Sequence, residues 1–204
     1  MLSVFDVANY FLSLEDDSAG EGITNLKMQK LCYYAQGINL ASTGHRMFDN
    51  DIEAWMHGPA IRELYDVAKK YGNNPLAYPI GNSKQISLDE FSESEKEVLA
   101  QVYIDYGQYS AWMLRNMTHM EAPWMKAMNR QPDQNNRKII LDEDMKSFFQ
   151  EATVNQRFES LENRINEIDN RVDALLDVLH TLEDECIRFY EDHTERLEKL
   201  EEKV

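Results

Sequence analysis

The sequence predicts a mainly α-helical chain: a compact helical domain with a small β-hairpin or irregular arm, then a long C-terminal coiled-coil helix. Three observations predict it. Apolar residues recur at helical spacing through most of the chain. Ser or Thr stands just ahead of several of those stripes, where a hydroxyl can cap the first turn. From Val154 onward a four-three apolar repeat runs without Gly or Pro. The division falls between residues 1–151 and 152–204.

Ser3 with Asp6 forms a capping pair for the first helix, and Val4, Val7, Ala8, Phe11 and Leu12 make its buried stripe. Glu15 to Gly22 reads as a polar loop. Thr24 caps the second helix, whose Leu31, Cys32, Ala35 and Ile38 turn to the core. Lys27, Lys30 and Tyr34 follow at i, i+3 and i+7, so they share a neighbouring face. That face is either a solvated stripe, with Lys stems over the Tyr ring, or a binding surface.

Met47-Phe48 and Ile52 to Trp55 flank the turn-prone Asp49-Asn50-Asp51, which predicts the hairpin or arm. At His57-Gly58-Pro59 the chain breaks: Gly58 supplies backbone freedom and Pro59 fixes φ for a helix through Ile61, Leu64, Tyr65 and Ala68. Trp55 is either a core anchor or an aromatic anchor at an interface. Asn73 to Gln85 is a second loop. Ser92 with Glu95 opens a helix carrying Val98, Leu99, Val102, Tyr103 and Tyr106 on one face. Ser110 caps the next, through Trp112 and Leu114 toward Met117. Pro123 suits the first turn of a short helix with Trp124 and Met125. A polar linker, Asn129 to Arg137, precedes a last domain helix with Met145, Phe148 and Phe149.

The tail places Phe158, Ile165, Val172, Leu179 and Cys186 at heptad a positions, with Leu161, Ile168, Leu175, Leu182 and Phe189 at d. His193 takes the next a position, before a stutter through Leu197, Leu200 and Val204. β-Branched a residues with Leu at d favour two parallel strands, although Ile168 at d argues mildly the other way. The expected outcome is a homodimer; the competing one is that the stripe docks on another protein.

Charge narrows the partners. Asp plus Glu number 37 against 21 Lys plus Arg, a formal net charge of −16. Such a field repels phosphate backbones and attracts a basic partner, so direct nucleic-acid binding is not expected. The alternative is that much of the acidity only maintains solubility. Cys32 and Cys186 lie far apart at apolar helix positions and read as free thiols in a reducing cytoplasm. With no run of about 18 apolar residues and no leader pattern at Met1, neither a membrane span nor export is expected.

Catalysis finds little support. His119 beside Glu121 invites an acid–base or metal reading, but neither CxxC, HExxH nor a His pair at helical spacing accompanies them. No nucleophile is marked, and no cofactor is expected. His119 reads more simply as a packed ring bonded to backbone groups near the Pro123 turn.

TNLKMQKLCYYAQG from Thr24, EAWMHGP from Glu53, ELY from Glu63 and THMEAPW from Thr118 occur in that order. The ordered set resembles the Panacea domain of SocA-like antitoxins, over roughly Met1 to Glu151. The resemblance implies a non-enzymatic antitoxin that holds a cognate protein toxin, encoded beside it, in an inactive complex. Its implied alternatives are an adaptor that delivers the toxin to a protease and a phage-borne inhibitor of a host defence protein. Lys27, Lys30, Tyr34, Trp55 and Arg62 are the candidate toxin contacts; Gly58, Pro59, His119, Pro123 and Trp124 are structural motif positions. The resemblance says nothing about the tail.

Overall fold

Helix α1 (Val4–Ser13) begins on the Ser3–Asp6 capping box and buries Val4, Val7, Ala8, Phe11 and Leu12, as the spacing predicts. The computed structural model describes residues 2–15, 22–81 and 88–201, with side chains through 190 apart from Leu88 and Gln156. Within the predicted loops, 16–21 and 82–85 lie outside the described residues. So do the side chains of His193, Leu197 and Leu200 and all of Val204. The chain divides into two units, Met1–Ala152 and Thr153–Val204.

Helix α2 (Asn25–Thr43) is the centre of the first unit. Thr24 caps it, Gly44 ends it in the left-handed region, and helices on several sides enclose it. One apolar face was expected; instead α2 is buried around most of its circumference. Gly37 shows how close the neighbours come, since a Cβ there would sit 2.0 Å from the Phe149 ring. The expected Lys27–Lys30–Tyr34 face is therefore not solvated. Lys30 is 1% exposed and Tyr34 0%, while Lys27 is half-buried and donates to the Gly107 carbonyl at 2.7 Å. Polar residues inside a surrounded helix persist because each finds a partner.

The hairpin exists, one turn further along than expected. Strand β1 (Glu53–Trp55) pairs antiparallel with β2 (Gly58–Ala60) around Met56-His57, not across Asp49–Asp51. Gly58 makes this turn possible with φ +94°. Pro59 lies opposite Ala54, whose own N–H points the other way, to the Lys138 carbonyl at 2.7 Å. A position that needs no donor tolerates proline inside a strand. Pro59 thus belongs to β2, and helix α3 (Arg62–Ala68) starts after Ile61. The residues just after the expected linker also join the hairpin: Ile139 bridges Glu53, and Ile140 N–H donates to the Ile52 carbonyl at 2.8 Å.

Helix α4 (Glu93–Tyr106) carries the Ser92–Glu95 capping box, Ser110 caps α5 (Ala111–His119), and Pro123 sits in the first turn of α6 (Ala122–Asn129). Helix α7 spans Asp142–Glu201. In its first turns Met145 and Phe149 join the core.

The second unit is described by its own helix. Val154, Phe158, Leu161, Ile165, Ile168, Val172, Leu175, Leu179 and Leu182 are between 47 and 64% exposed. Cys186 is exposed as well, while Cys32 is buried. Among the described residues no helix is long and apolar enough to cross a membrane.

Candidate partner-binding site

Three separated motifs meet at the hairpin. From α2, Tyr33 and Tyr34 donate to Glu121, to Oε2 and Oε1, each at 2.8 Å. Tyr34 also stacks on Tyr106 at 3.8 Å. Burial raises the Glu121 carboxyl above its usual value, while the two hydroxyls act the other way by supporting the ionised form. The same burial, with Glu121 adjacent, holds both tyrosines well above theirs.

Next to Glu121, the Thr118-to-Trp124 segment clasps the hairpin turn. His119 Nε2 lies 3.0 Å from the Met56 carbonyl and Nδ1 lies 2.6 Å from the Arg115 carbonyl. Carbonyls only accept, so a neutral ring donates to one and an imidazolium to both. Trp124 packs 4.0 Å from the His119 ring and donates from Nε1 to the Trp55 carbonyl at 3.0 Å. Pro123 is buried in the first turn of α6. His119 and Glu121 are thus engaged in holding the fold, and neither lines the cavity described below.

Lys30 supports the turn from α2. Its Nζ donates to the Pro59 carbonyl at 2.8 Å. Burial, with the nearby Arg115 charge adding to it, lowers the Lys30 ammonium to about 7. Gly58 fits against this ammonium stem: a Cβ there would lie 2.7 Å from Thr118 Oγ1 and 2.8 Å from Lys30 Cε. On the outer side Glu53, 3% exposed, accepts from Trp55 Nε1 at 2.8 Å and from Arg62 Nε and Nη2 at 3.0 and 2.7 Å. Arg62 lies 5.3 Å over the Trp55 ring, and Tyr65 meets that ring edge-on at 4.9 Å.

A cavity of about 460 Å³ opens over this assembly, between the start of α2, the hairpin turn and α5. Lys30, Trp55, Met56, His57, Tyr65 and Trp112 are among its lining residues. Its ionisable lining is Lys30, His57, Tyr65 and Lys69, with no carboxylate, in a chain of net charge −16. Lys69 is paired with Asp66 at 2.7 Å. At the rim, Met56 is 77% exposed and Trp112 61%, and the Trp112 ring lies 6.1 Å from that of His57.

The predicted residues therefore separate. Lys30, Trp55 and Gly58 come together at the cavity, and Arg62 braces Trp55. Tyr34 works from behind through Glu121, and Lys27 is engaged with Gly107. Pro59 supplies the carbonyl for Lys30. Sequence reasoning missed Met56, Trp112, Glu53 and Tyr33. Met56 and Trp112 carried a weak signal, as large apolar residues at positions the core stripes leave out. Glu53 and Tyr33 carried none, since only tertiary contacts reveal their partners.

Residues 28–125 match the family described as "Antitoxin SocA-like, Panacea domain". This span is narrower than the resemblance over Met1 to Glu151 and holds the Tyr33, Trp55, Gly58, His119, Glu121 and Trp124 cluster while leaving out α1 and α7. No curated protein and no solved structure matches the chain.

Proposed function

We propose that this chain, which belongs to the SocA-like Panacea family of antitoxin-like domains, neutralises a cognate protein toxin in the cytoplasm by binding it directly. The observation that carries the proposal is the paired exposure of Met56 and Trp112 at the mouth of a carboxylate-free cavity. Aromatic side chains beside a pocket are frequent sources of binding energy, and Met adapts its shape to a partner surface. Beneath them, Trp55 and Arg62 complete the contact, whereas Lys30, Tyr34 and Glu121 hold its shape from inside. Lys30 and Tyr34 are thus assigned support, in place of the toxin contact their spacing suggested. The second unit serves as the self-association element of a homodimer.

The test is co-expression with the product of the neighbouring open reading frame, followed by purification through a tag on either protein. The expected result is restored growth and a stable complex. Met56→Ala with Trp112→Ala should weaken both, since exposed truncations usually leave stability within about 0.5 kcal/mol. Rescue that persists without association, in cells lacking cytoplasmic proteases, contradicts direct binding.

A further inference from the structure

We infer that Thr153–Val204 joins two copies of the chain side by side, parallel and in register, so that Cys186 of one copy faces Cys186 of the other. This rests on the self-association reading above and adds orientation, register and a chemical signature to it. The observations lie within the second unit itself. Its a and d side chains from Val154 to Leu182 stand about half exposed along one stripe. No Gly or Pro interrupts that stripe. A seam this regular is the shape that a second identical seam fills, each apolar knob entering a hole between four residues of the other helix.

Charge selects the orientation. In a parallel pair, each g residue faces the e residue of the next heptad on the other strand. Arg157 then meets Glu162 of the second copy, and Arg164 meets Asp169. Further along, Arg171 faces Leu176, over which its aliphatic stem can lie. An antiparallel pair would instead set the acidic e column of Glu162, Asp169 and Glu183 against itself. Ile165 and Val172 at a with Leu161 and Leu175 at d favour two strands over three or four.

Cys186 reports the result. It occupies an a position and is exposed in the single chain. In a parallel in-register pair the two Cys186 Cα atoms fall within the roughly 4.4–6.8 Å that a disulfide spans. In an antiparallel pair overlapping over the seam they would stand about 40 Å apart, at 1.5 Å per residue. Cys32 is buried and does not compete.

The test uses the full chain at micromolar concentration, sized by light scattering and then treated with diamide. Two thiols lose two protons and two electrons to diamide, which becomes the hydrazine, and one S–S bond forms. The expected result is a dimer that becomes covalent on a non-reducing gel, with Cys186→Ser dimeric but not cross-linked. Val172→Glu should be monomeric and should not cross-link at the same concentration, which excludes chance collision. Should that variant fail to fold by circular dichroism, Arg157→Glu with Arg164→Glu supplies an independent arm. It should raise the dimer dissociation constant roughly tenfold, and Glu162→Arg with Asp169→Arg should restore it. A dimer whose Cys186 reacts with maleimide yet forms no disulfide overturns the parallel register and leaves self-association standing. A monomeric parent overturns both and leaves toxin binding untouched.

Discussion

The Tyr34 hydroxyl donates to Glu121 Oε1 at 2.8 Å, joining residues 87 positions apart. Tyr33 engages the other carboxylate oxygen at the same distance. One buried side chain therefore ties the central helix to the segment that grips the hairpin turn, and both tyrosines that donate to it are fully buried. Removing an acceptor from such a site costs more than the bond itself contributed, because the hydroxyls stay behind unpaired.

Glu121→Leu should consequently lower unfolding free energy by roughly 2–5 kcal/mol, one desolvation penalty for each stranded hydroxyl. Adding Tyr33→Phe and Tyr34→Phe should recover much of that loss, which denaturant unfolding can measure. The pH profile gives a second reading. Glu121 titrates above its ordinary 4.5 in the folded protein, chiefly through burial. Folding therefore binds a proton there, and this contribution fades as pH rises from 4.5 through the raised value. The parent should show that decline, and the Leu variant should lack it.

Lys30 gives the opposite slope. Its ammonium ordinarily titrates at 10.5 and is lowered to about 7 in the folded chain. Between those values the unfolded chain holds the extra proton, so this residue makes stability rise with pH. Urea unfolding from pH 7 to 9 should show the rise in the parent and a flatter profile in Lys30→Met, which lacks the ionisable group. The window stops short of tyrosine ionisation, where raised Tyr33 and Tyr34 values act the other way.

Gly58→Ala should destabilise the turn by about 1–3 kcal/mol, because φ is +94° and the new methyl meets Thr118 Oγ1 and Lys30 Cε. Shortening one neighbour in Gly58→Ala with Thr118→Ser leaves that hydroxyl in place and should recover little. A thermal melt of the single and double variants decides it.

Local chemistry was legible in the sequence where it acts over a few residues. The Ser3 and Ser92 capping boxes, the Thr24 and Ser110 caps and the placement of Pro123 stand as the spacing implies: each cap bonds the residue three positions on, and Pro123 needs only a place in a first helical turn. The hairpin was displaced because Asp49-Asn50-Asp51 and Met56-His57-Gly58 both carry turn chemistry, and long-range pairing with Lys138 to Ile140 selects the second. The Lys27–Lys30–Tyr34 face was misread for a related reason. Polar residues at one helical spacing usually face water, but α2 is enclosed, and Pro59 and Glu121 satisfy Lys30 and Tyr34 from distant segments. The exposed pair Met56 and Trp112 became visible only once the fold brought their two segments to one cavity.

The most direct measurement is a calorimetric titration of the whole chain with the purified cognate toxin proposed above, repeated for Met56→Ala with Trp112→Ala. Saturable binding by the parent is expected, weakened at least tenfold in the variant, since truncating a central aromatic anchor typically costs about 2 kcal/mol or more. Its circular-dichroism melt should stay close to the parent's. No binding by the parent, under conditions where it still protects cells from the toxin, would contradict the account.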